Sequence, residues 1–470
     1  MTEFDVIILG AGPAGMSAAR VAADHGAQVL LLDEAASPGG QIYRGILENN
    51  AQHASLLGES YIAGKEIARA IEHKNIKYCP NCVVWNVTMD AEITYSHKGK
   101  AARVKGRHVI LATGALERPV PIPGWTLPGA MTAGAAQILL KAHKLVPKDA
   151  VLAGTGPLLY LIALQLIKAG APPKALVETQ TFSNKITALP FLPMALRGLD
   201  YLIEGRDMLA VIKGEGIPRY TGVEDIRLHG EDKVSAISFN HGNKRINIET
   251  ETALLHAGVI PNTIISQALR LDHIWDESQA CFKPVINDFG LSSNTLFSIA
   301  GDGASIGGAK AAACCGKLSA YGALKSLGFG EDSAEIWTQQ HLLKKETSIR
   351  PFLERVFPVP NAFRVPADDV IICRCENVSA GDIRRFSKKG CKGPNQAKAF
   401  GRAGMGPCQG RYCGVTVTEI LAKENGMNHE ETGALRGRSP LKPVSLGELA
   451  SLAPEGESED PSAKLRKLTK

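Results

Sequence analysis

Residues 5–9, DVIIL, form a short apolar run that breaks at once into Gly10-Ala11-Gly12-Pro13-Ala14-Gly15. The chain then continues as MSAARVAADHGA and a second apolar run, QVLLLDE. By period this is a strand, a glycine turn, a helix and another strand, within about the thirty residues that a dinucleotide-binding βαβ unit needs. Gly10 permits the tight turn, Gly12 lets a diphosphate approach the backbone, and Gly15 lets helix and strand close up. Pro13 and Ala14 open the helix, whose unpaired amides and partial positive charge face the diphosphate. Asp33, eighteen residues after Gly15, ends the second strand and is placed for the ribose hydroxyls, with Glu34 beside it to share or take the role.

The same theme recurs along the chain. In SPGGQIYR, Gly39 and Gly40 can swing the backbone back over the cofactor, and Gln41 and Arg44 can donate hydrogen bonds to it. YCPNCVVWNV comes next; Val83, at the head of its strand run, is placed among the cofactor contacts. Its CxxC pair, Cys79 and Cys82, has no helix N-terminus to lower a thiol pKa and is read as structural. In HVILATGALERPVPIPGW a strand ends at Ala112-Thr113-Gly114 and a proline-rich crossing leaves the domain. Residues 149–178 repeat strand, turn, helix and strand, but the turn reads Gly154-Thr-Gly156-Pro-Leu-Leu159. Leucine at the third glycine position wedges helix from strand, which predicts weakened or altered NAD(P) binding even with Glu178 ending the next strand. Ala150–Ile167 is eighteen residues without a charge, but the Gly154–Pro157 turn splits it, so no membrane span is expected. Later, LFSIA ends in Gly301-Asp302 before an alanine-rich helix that begins near Gly307 or Gly308 and contains Cys314 and Cys315, both read as core.

Near the C-terminus stand Cys373-x-Cys375, thirty-two intervening residues, and Cys408-x4-Cys413. Two thiolate pairs on short loops are what a [2Fe-2S] cluster requires, whereas zinc ligand pairs more often have two to four residues between them. Glycines crowd the second pair, as a tightly bent backbone turning amides toward an anionic cluster requires. Cys391 is read as a spectator. VSAGDIRRFSKKG reads as a helix capped by Ser379, and VTVTEILAKENG as one ended by Gly426.

With 53 basic and 47 acidic residues and no basic stripe, nucleic acid is not an expected partner. No signal peptide opens the chain, and ten cysteines in an unsecreted protein point to metal or redox use in the cytoplasm.

Taken in order, the first fingerprint, GGQIYR, ATGALERPVPIPGWTLPGAMTAGAAQ, GTGPLL, AGDGASIGGA and CRCEN with GMGPCQGRYC resemble the alpha-type subunits of multisubunit amino-acid oxidoreductases. That group includes the A subunit of opine oxidase, the FAD subunit of hydrogen cyanide synthase, dye-linked proline and hydroxyproline dehydrogenases, and sarcosine oxidase alpha. The resemblance implies an α/β two-dinucleotide-binding flavoprotein of the glutathione reductase type with a C-terminal [2Fe-2S] domain similar to bacterioferritin-associated ferredoxin. The domains are then residues 1–118 with 255–330 for FAD, 119–254 for a degenerate NAD(P)-like unit, a linker 331–367, the cluster domain 368–426, and a strap with a disordered tail 427–470. In the resemblance, Asp302 bonds the ribityl chain. It also implies an electron-transfer role, with substrate oxidised in a D-amino-acid-oxidase-like beta subunit, an FMN at the interface, and a small ferredoxin-like gamma subunit. Opine, glycine, proline and hydroxyproline stay open as substrates of the complex; a stand-alone NAD(P)H-dependent flavin reductase is the rival reading.

Overall fold

The computed structural model describes residues 2–452. Seven strands make the first sheet, the first six being β1 (Thr2–Leu9), β2 (Val29–Leu32), β3 (Ile76–Cys79), β4 (Val83–Val87), β5 (Glu92–His97) and β6 (Lys100–Leu111), ordered β3-β2-β1-β6-β5-β4. The β3-β2-β1-β6 part is parallel, and β6-β5-β4 is antiparallel. Val6, Ile7 and Ile8 are fully buried, as expected of a parallel strand covered on both faces. Alternation divides them: Val6 and Ile8 pack with α1 (Pro13–Asp24), and Ile7 and Leu9 with the opposite face.

After the proline-rich crossing comes a second parallel sheet, of β7 (Ala130–Thr132), β8 (Val151–Thr155), β9 (Ala175–Glu178), β10 (Arg219–Thr221) and β11 (Ala253–Ala257), ordered β10-β9-β8-β11-β7. Helices α2 (Ala133–His143) and α3 (Leu158–Lys168) cover it. Because β11 pairs along its whole length with β8, the return crossing falls after Ala257, not within the strand at 255. The uncharged stretch 150–167 is β8, a turn and α3, largely buried. A different segment, Phe182–Gly214, is apolar and long enough to cross a membrane by length and composition. It is broken by 3-10 turns at Leu189–Phe191 and Leu196–Gly198, and Phe182, Ile186, Leu189 and Leu196 are more than half exposed.

The chain re-enters the first domain at β12 (Phe297–Ile299), which pairs with the end of β6, and continues into α4 (Ala309–Leu327). There α4 crosses α1 in backbone contact: a Cβ on Gly316 would lie 2.0 Å from the Ala14 carbonyl oxygen. Residues 331–367, expected as a linker, instead hold helices Ser333–Thr347, Arg350–Val356 and Asn361–Arg364. Pro351 lies in a helix first turn, where a missing N–H costs nothing, so proline starts structure here. Arg364 then grips the buried Glu419 with two bonds of 2.6 and 2.9 Å.

In the C-terminal domain Ser379 and Asp382 form a capping box on helix Ala380–Lys388, and Gly426 (φ 62°) ends Gly414–Asn425. From there residues 427–452 run back over the first sheet. The Leu441 N–H donates to Trp85 O at 2.7 Å, and its side chain, 2% exposed, fills the same face as Leu9 and Leu32. Residues 453–470, where a disordered tail is expected, lie outside the described residues. Replacing Leu441 by Ala is expected to cost about 2–5 kcal/mol of stability, measured by denaturant unfolding, and Leu441→Met under about 1.5 kcal/mol.

Candidate functional site

The strand ends β1, β2, β6 and β12 form one rim. Gly10 sits at φ +110°, and a Cβ on it would lie 2.4 Å from Ala112 O; a Cβ on Gly15 would lie 1.8 Å from Gly10 O. Both positions therefore need glycine, and the second lets α1 start directly over β1. Gly12 faces Gly40, whose own Cβ would lie 2.9 Å from the Gly12 Cα, so residues 39–40 close on the turn backbone to backbone and neither glycine puts a side chain into the slot beside them. Asp33 accepts from the Ala11 N–H with one oxygen and from the Ala35 N–H at 2.6 Å with the other, and burial raises its pKa despite these bonds.

Glu34, expected to share or take the ribose role, carries an ion pair. Both of its oxygens accept from Lys442 Nζ, at 2.7 and 2.5 Å, because the returning strap passes over that edge. Arg44 reaches Gln41 Oε1 at 3.3 Å, while its buried Nε has no partner among the described residues, a donor suited to an anionic ligand. The Gln41 side chain itself is exposed. Val83 comes directly after Cys82, whose N–H donates to Asp33 O at 2.8 Å, so it lies along the same rim. Thr113 Oγ1 donates to Asn262 O at 3.1 Å, and the Asn262 N–H to Gly114 O at 3.0 Å. Gly301, at φ +69°, abuts Ala14, and Asp302 accepts from the Gly307 and Gly308 N–H groups at 2.9 and 3.1 Å at the start of α4. A side-chain-free slot, an acid at the end of β2, an unpaired buried donor and two converging helix N-termini fit a flavin dinucleotide.

The second glycine turn is built alike and filled differently. Gly154, Thr155 and Gly156 are buried, whereas Gly10, Gly12 and Pro13 are half-exposed. His256 packs on Gly156 and bonds Glu117 at 2.7 Å. Glu178 accepts from Tyr160 OH and Gln180 and pairs with Arg219 at 2.8 Å; Leu159 is fully buried. The acid that a ribose would need is already satisfied, and burial, then Glu178, push the Tyr160 phenol up.

The four C-terminal cysteines gather as two pairs. Cys375 Sγ lies 3.7 Å from Cys408 Sγ, and Cys373 bonds Cys413. Among the described residues no three of these thiols lie within 4.8 Å of one another, as a single tetrahedral ion would demand. Cys373 is held down to about 6, first by the bond to Cys413 and then by backbone N–H groups of Gly404, Glu376 and Cys375, while the same bond and burial push Cys413 well up. Gly406 must be glycine, since its Cβ would stand 2.2 Å from the Cys375 Cβ. Cys391 is fully buried, with its Sγ on Gly393 O at 3.5 Å, in the same core cluster as Cys373 and Cys413. A cavity of about 60 Å³ lined by Asn262, Thr263, Gln409, Gly410 and Arg411 joins this loop to the rim beside Thr113.

Sequence reasoning missed Lys141 on α2, which donates to Gln41 O at 3.2 Å and Gln137 Oε1 at 3.0 Å. Nothing in the helical pattern of α2 marks a lysine as inward-facing.

Residues 4–313 match the pyridine nucleotide-disulphide oxidoreductase family, and residues 370–452 match the sarcosine oxidase A3 domain. The A subunit of opine oxidase from Rhizobium meliloti (strain 1021) is 38% identical over 455 residues, covering 96% of this chain and 99% of that one. The HcnB subunit of hydrogen cyanide synthase from Pseudomonas protegens is 31% identical over 455 residues, covering 93% and 96%. The crystal structure of L-proline dehydrogenase from P. horikoshii superposes over 95% of this chain and 79% of that one, with a TM-score of 0.71 at 19% identity, a likeness of fold.

Burial pushes Lys141 down to about 7, with Arg44 adding to the effect. An unfolded lysine keeps its proton to about 10.4, so between those values the unfolded chain binds more protons and stability rises with pH; below pH 7 the burial cost is full and constant. Lys141→Met is therefore expected to raise Tm most at or below pH 7, with the gain shrinking toward pH 10. A pH-independent difference in paired thermal melts would contradict this.

Proposed function

The chain belongs to the pyridine nucleotide-disulphide oxidoreductase family, with relatives that are A or alpha subunits of multisubunit oxidases, and from that premise we propose that it is the electron-transfer subunit of an opine or related amino-acid oxidoreductase. FAD is held by Gly10, Gly12, Gly15, Asp33, Gly40, Arg44, Gly301 and Asp302, and a [2Fe-2S] cluster by Cys373, Cys375, Cys408 and Cys413. The observation that carries the reading is the split of four thiols into two close pairs, each joining residues 373–375 to residues 408–413, the second of which abuts the dinucleotide rim. Two pairs match two irons. When bound, the flavin supplies two-electron chemistry and the cluster one-electron chemistry.

The residues themselves do the positioning. The two glycine-faced helix starts neutralise the diphosphate, and Asp302 at the N-terminus of α4 fixes the turn beside it. Amides of Gly404, Glu376 and Cys375 hold negative charge on Cys373. The filled second turn supports electron entry from a partner rather than from NAD(P)H. The exposed apolar run of Phe182, Ile186, Leu189 and Leu196 suits burial against such a partner, the catalytic flavin subunit.

The purified chain is expected to carry about one FAD and two irons, to resist bleaching by NADH or NADPH, and to oxidise no opine until its partner subunit is added. Turnover by the isolated chain, or rapid flavin bleaching by a nicotinamide, would sink the reading. Cys408→Ser is expected to lose the cluster's absorbance while keeping FAD, and to abolish electron delivery in the reconstituted complex.

A further inference from the structure

Beside the dinucleotide rim, Cys79, Cys82 and His97 bring three ligand atoms within 4.8 Å of one another. Cys79 ends β3, Cys82 precedes β4, and His97 ends β5, so the pairing of β4 with β5 carries the imidazole back to a CxxC turn. His97 Nδ1 stands 3.9 Å from Cys79 Sγ and 3.4 Å from Cys82 Sγ. A tetrahedral zinc ion with Zn–S of about 2.3 Å and Zn–N of about 2.0 Å sets sulfur and nitrogen about 3.6 Å apart, and the two distances bracket that edge.

Hydrogen bonds join the cluster only in pairs, Cys79 with Cys82 and one thiol at a time with Nδ1, which in a neutral imidazole is one donor or one acceptor. A divalent cation takes a lone pair from all three atoms at once. Two sulfurs and an imidazole nitrogen select zinc over the hard cations, and CxxC is a recurrent zinc turn. Asn81, between the cysteines, takes the left-handed φ of 53° that turns both thiols to one side. Cys82 is 1% exposed, while Cys79 and His97 are half-buried, leaving an open side for a water as the fourth ligand.

We propose that Cys79, Cys82 and His97 bind a zinc ion, with water completing the tetrahedron. Binding displaces the two thiol protons to solvent and changes no oxidation state. The ion clamps the β3–β4 turn to the end of β5. That turn exchanges backbone bonds with the ribose acid: the Asp33 N–H donates to Cys79 O at 3.1 Å and the Cys82 N–H to Asp33 O at 2.8 Å. The site thus braces the strand end that presents Asp33.

The test is elemental analysis of the full-length protein, purified without chelator and equilibrated with zinc before exhaustive dialysis. Wild type is expected to retain about one zinc per chain, and the Cys79→Ser/Cys82→Ser variant at least tenfold less, with iron and flavin per chain unchanged. Because zinc, iron and flavin are counted separately, loss of this site and loss of the proposed cofactors are told apart. If the variant does not fold, zinc-edge X-ray absorption on wild type decides, with two sulfur neighbours at about 2.3 Å and nitrogen or oxygen at about 2.0 Å expected. Wild type without zinc, a double variant that keeps it, a zinc shell of four sulfurs, or a Cys79–Cys82 disulfide in the native protein would each overturn the proposal.

Discussion

Gly15 comes so near the carbonyl of Gly10 that any Cβ would lie 1.8 Å from its oxygen, and the architecture of the first domain depends on that approach. It sets α1 directly above β1, with the helix amides at the strand's end. From that seat α1 receives α4, whose Gly316 admits the Ala14 carbonyl, and so the second helix N-terminus, with Asp302, arrives at the same rim. One missing side chain thus positions two positive helix ends from segments about three hundred residues apart in the sequence.

In the second unit that constraint is relaxed. Leu159 stands where the third glycine would be and is fully buried against the sheet. The space a diphosphate would use is taken by the His256 ring, and the acid at the strand end is spent on Tyr160, Gln180 and Arg219. The βαβ fold survives because it rests on the apolar strands. Binding requires an open turn, which is a separate property of the same residues.

The same distinction accounts for how much was legible in the sequence. Glycine turns, strand-end acids and closely spaced cysteines are local patterns, each tied to a backbone conformation or a ligand set, and so each can be read from a short stretch of sequence. What stays illegible are contacts between remote segments. Glu34 pairs with Lys442, a partner 408 residues away, which no local pattern reveals. The prolines of 351–366 resemble a linker in composition, yet Pro351 sits in a helix first turn, and the segment is folded. Cys79 and Cys82 gain a third companion, His97, from a neighbouring strand, brought near only by the β4–β5 hairpin.

The strap joins the dinucleotide and cysteine domains. Leu441 is buried in the first sheet's face, its carbonyl accepts from Arg411 at 3.1 Å, and Arg411 also bonds Cys408 O at 3.2 Å. One residue thus touches the dinucleotide domain with its side chain and the cysteine loop through its backbone. A module on a flexible tether would meet its neighbour by diffusion, at an effective concentration set by tether length. Here the encounter is permanent, so the separation between the dinucleotide rim and the cysteine loop is a fixed dimension of the fold and not a distribution.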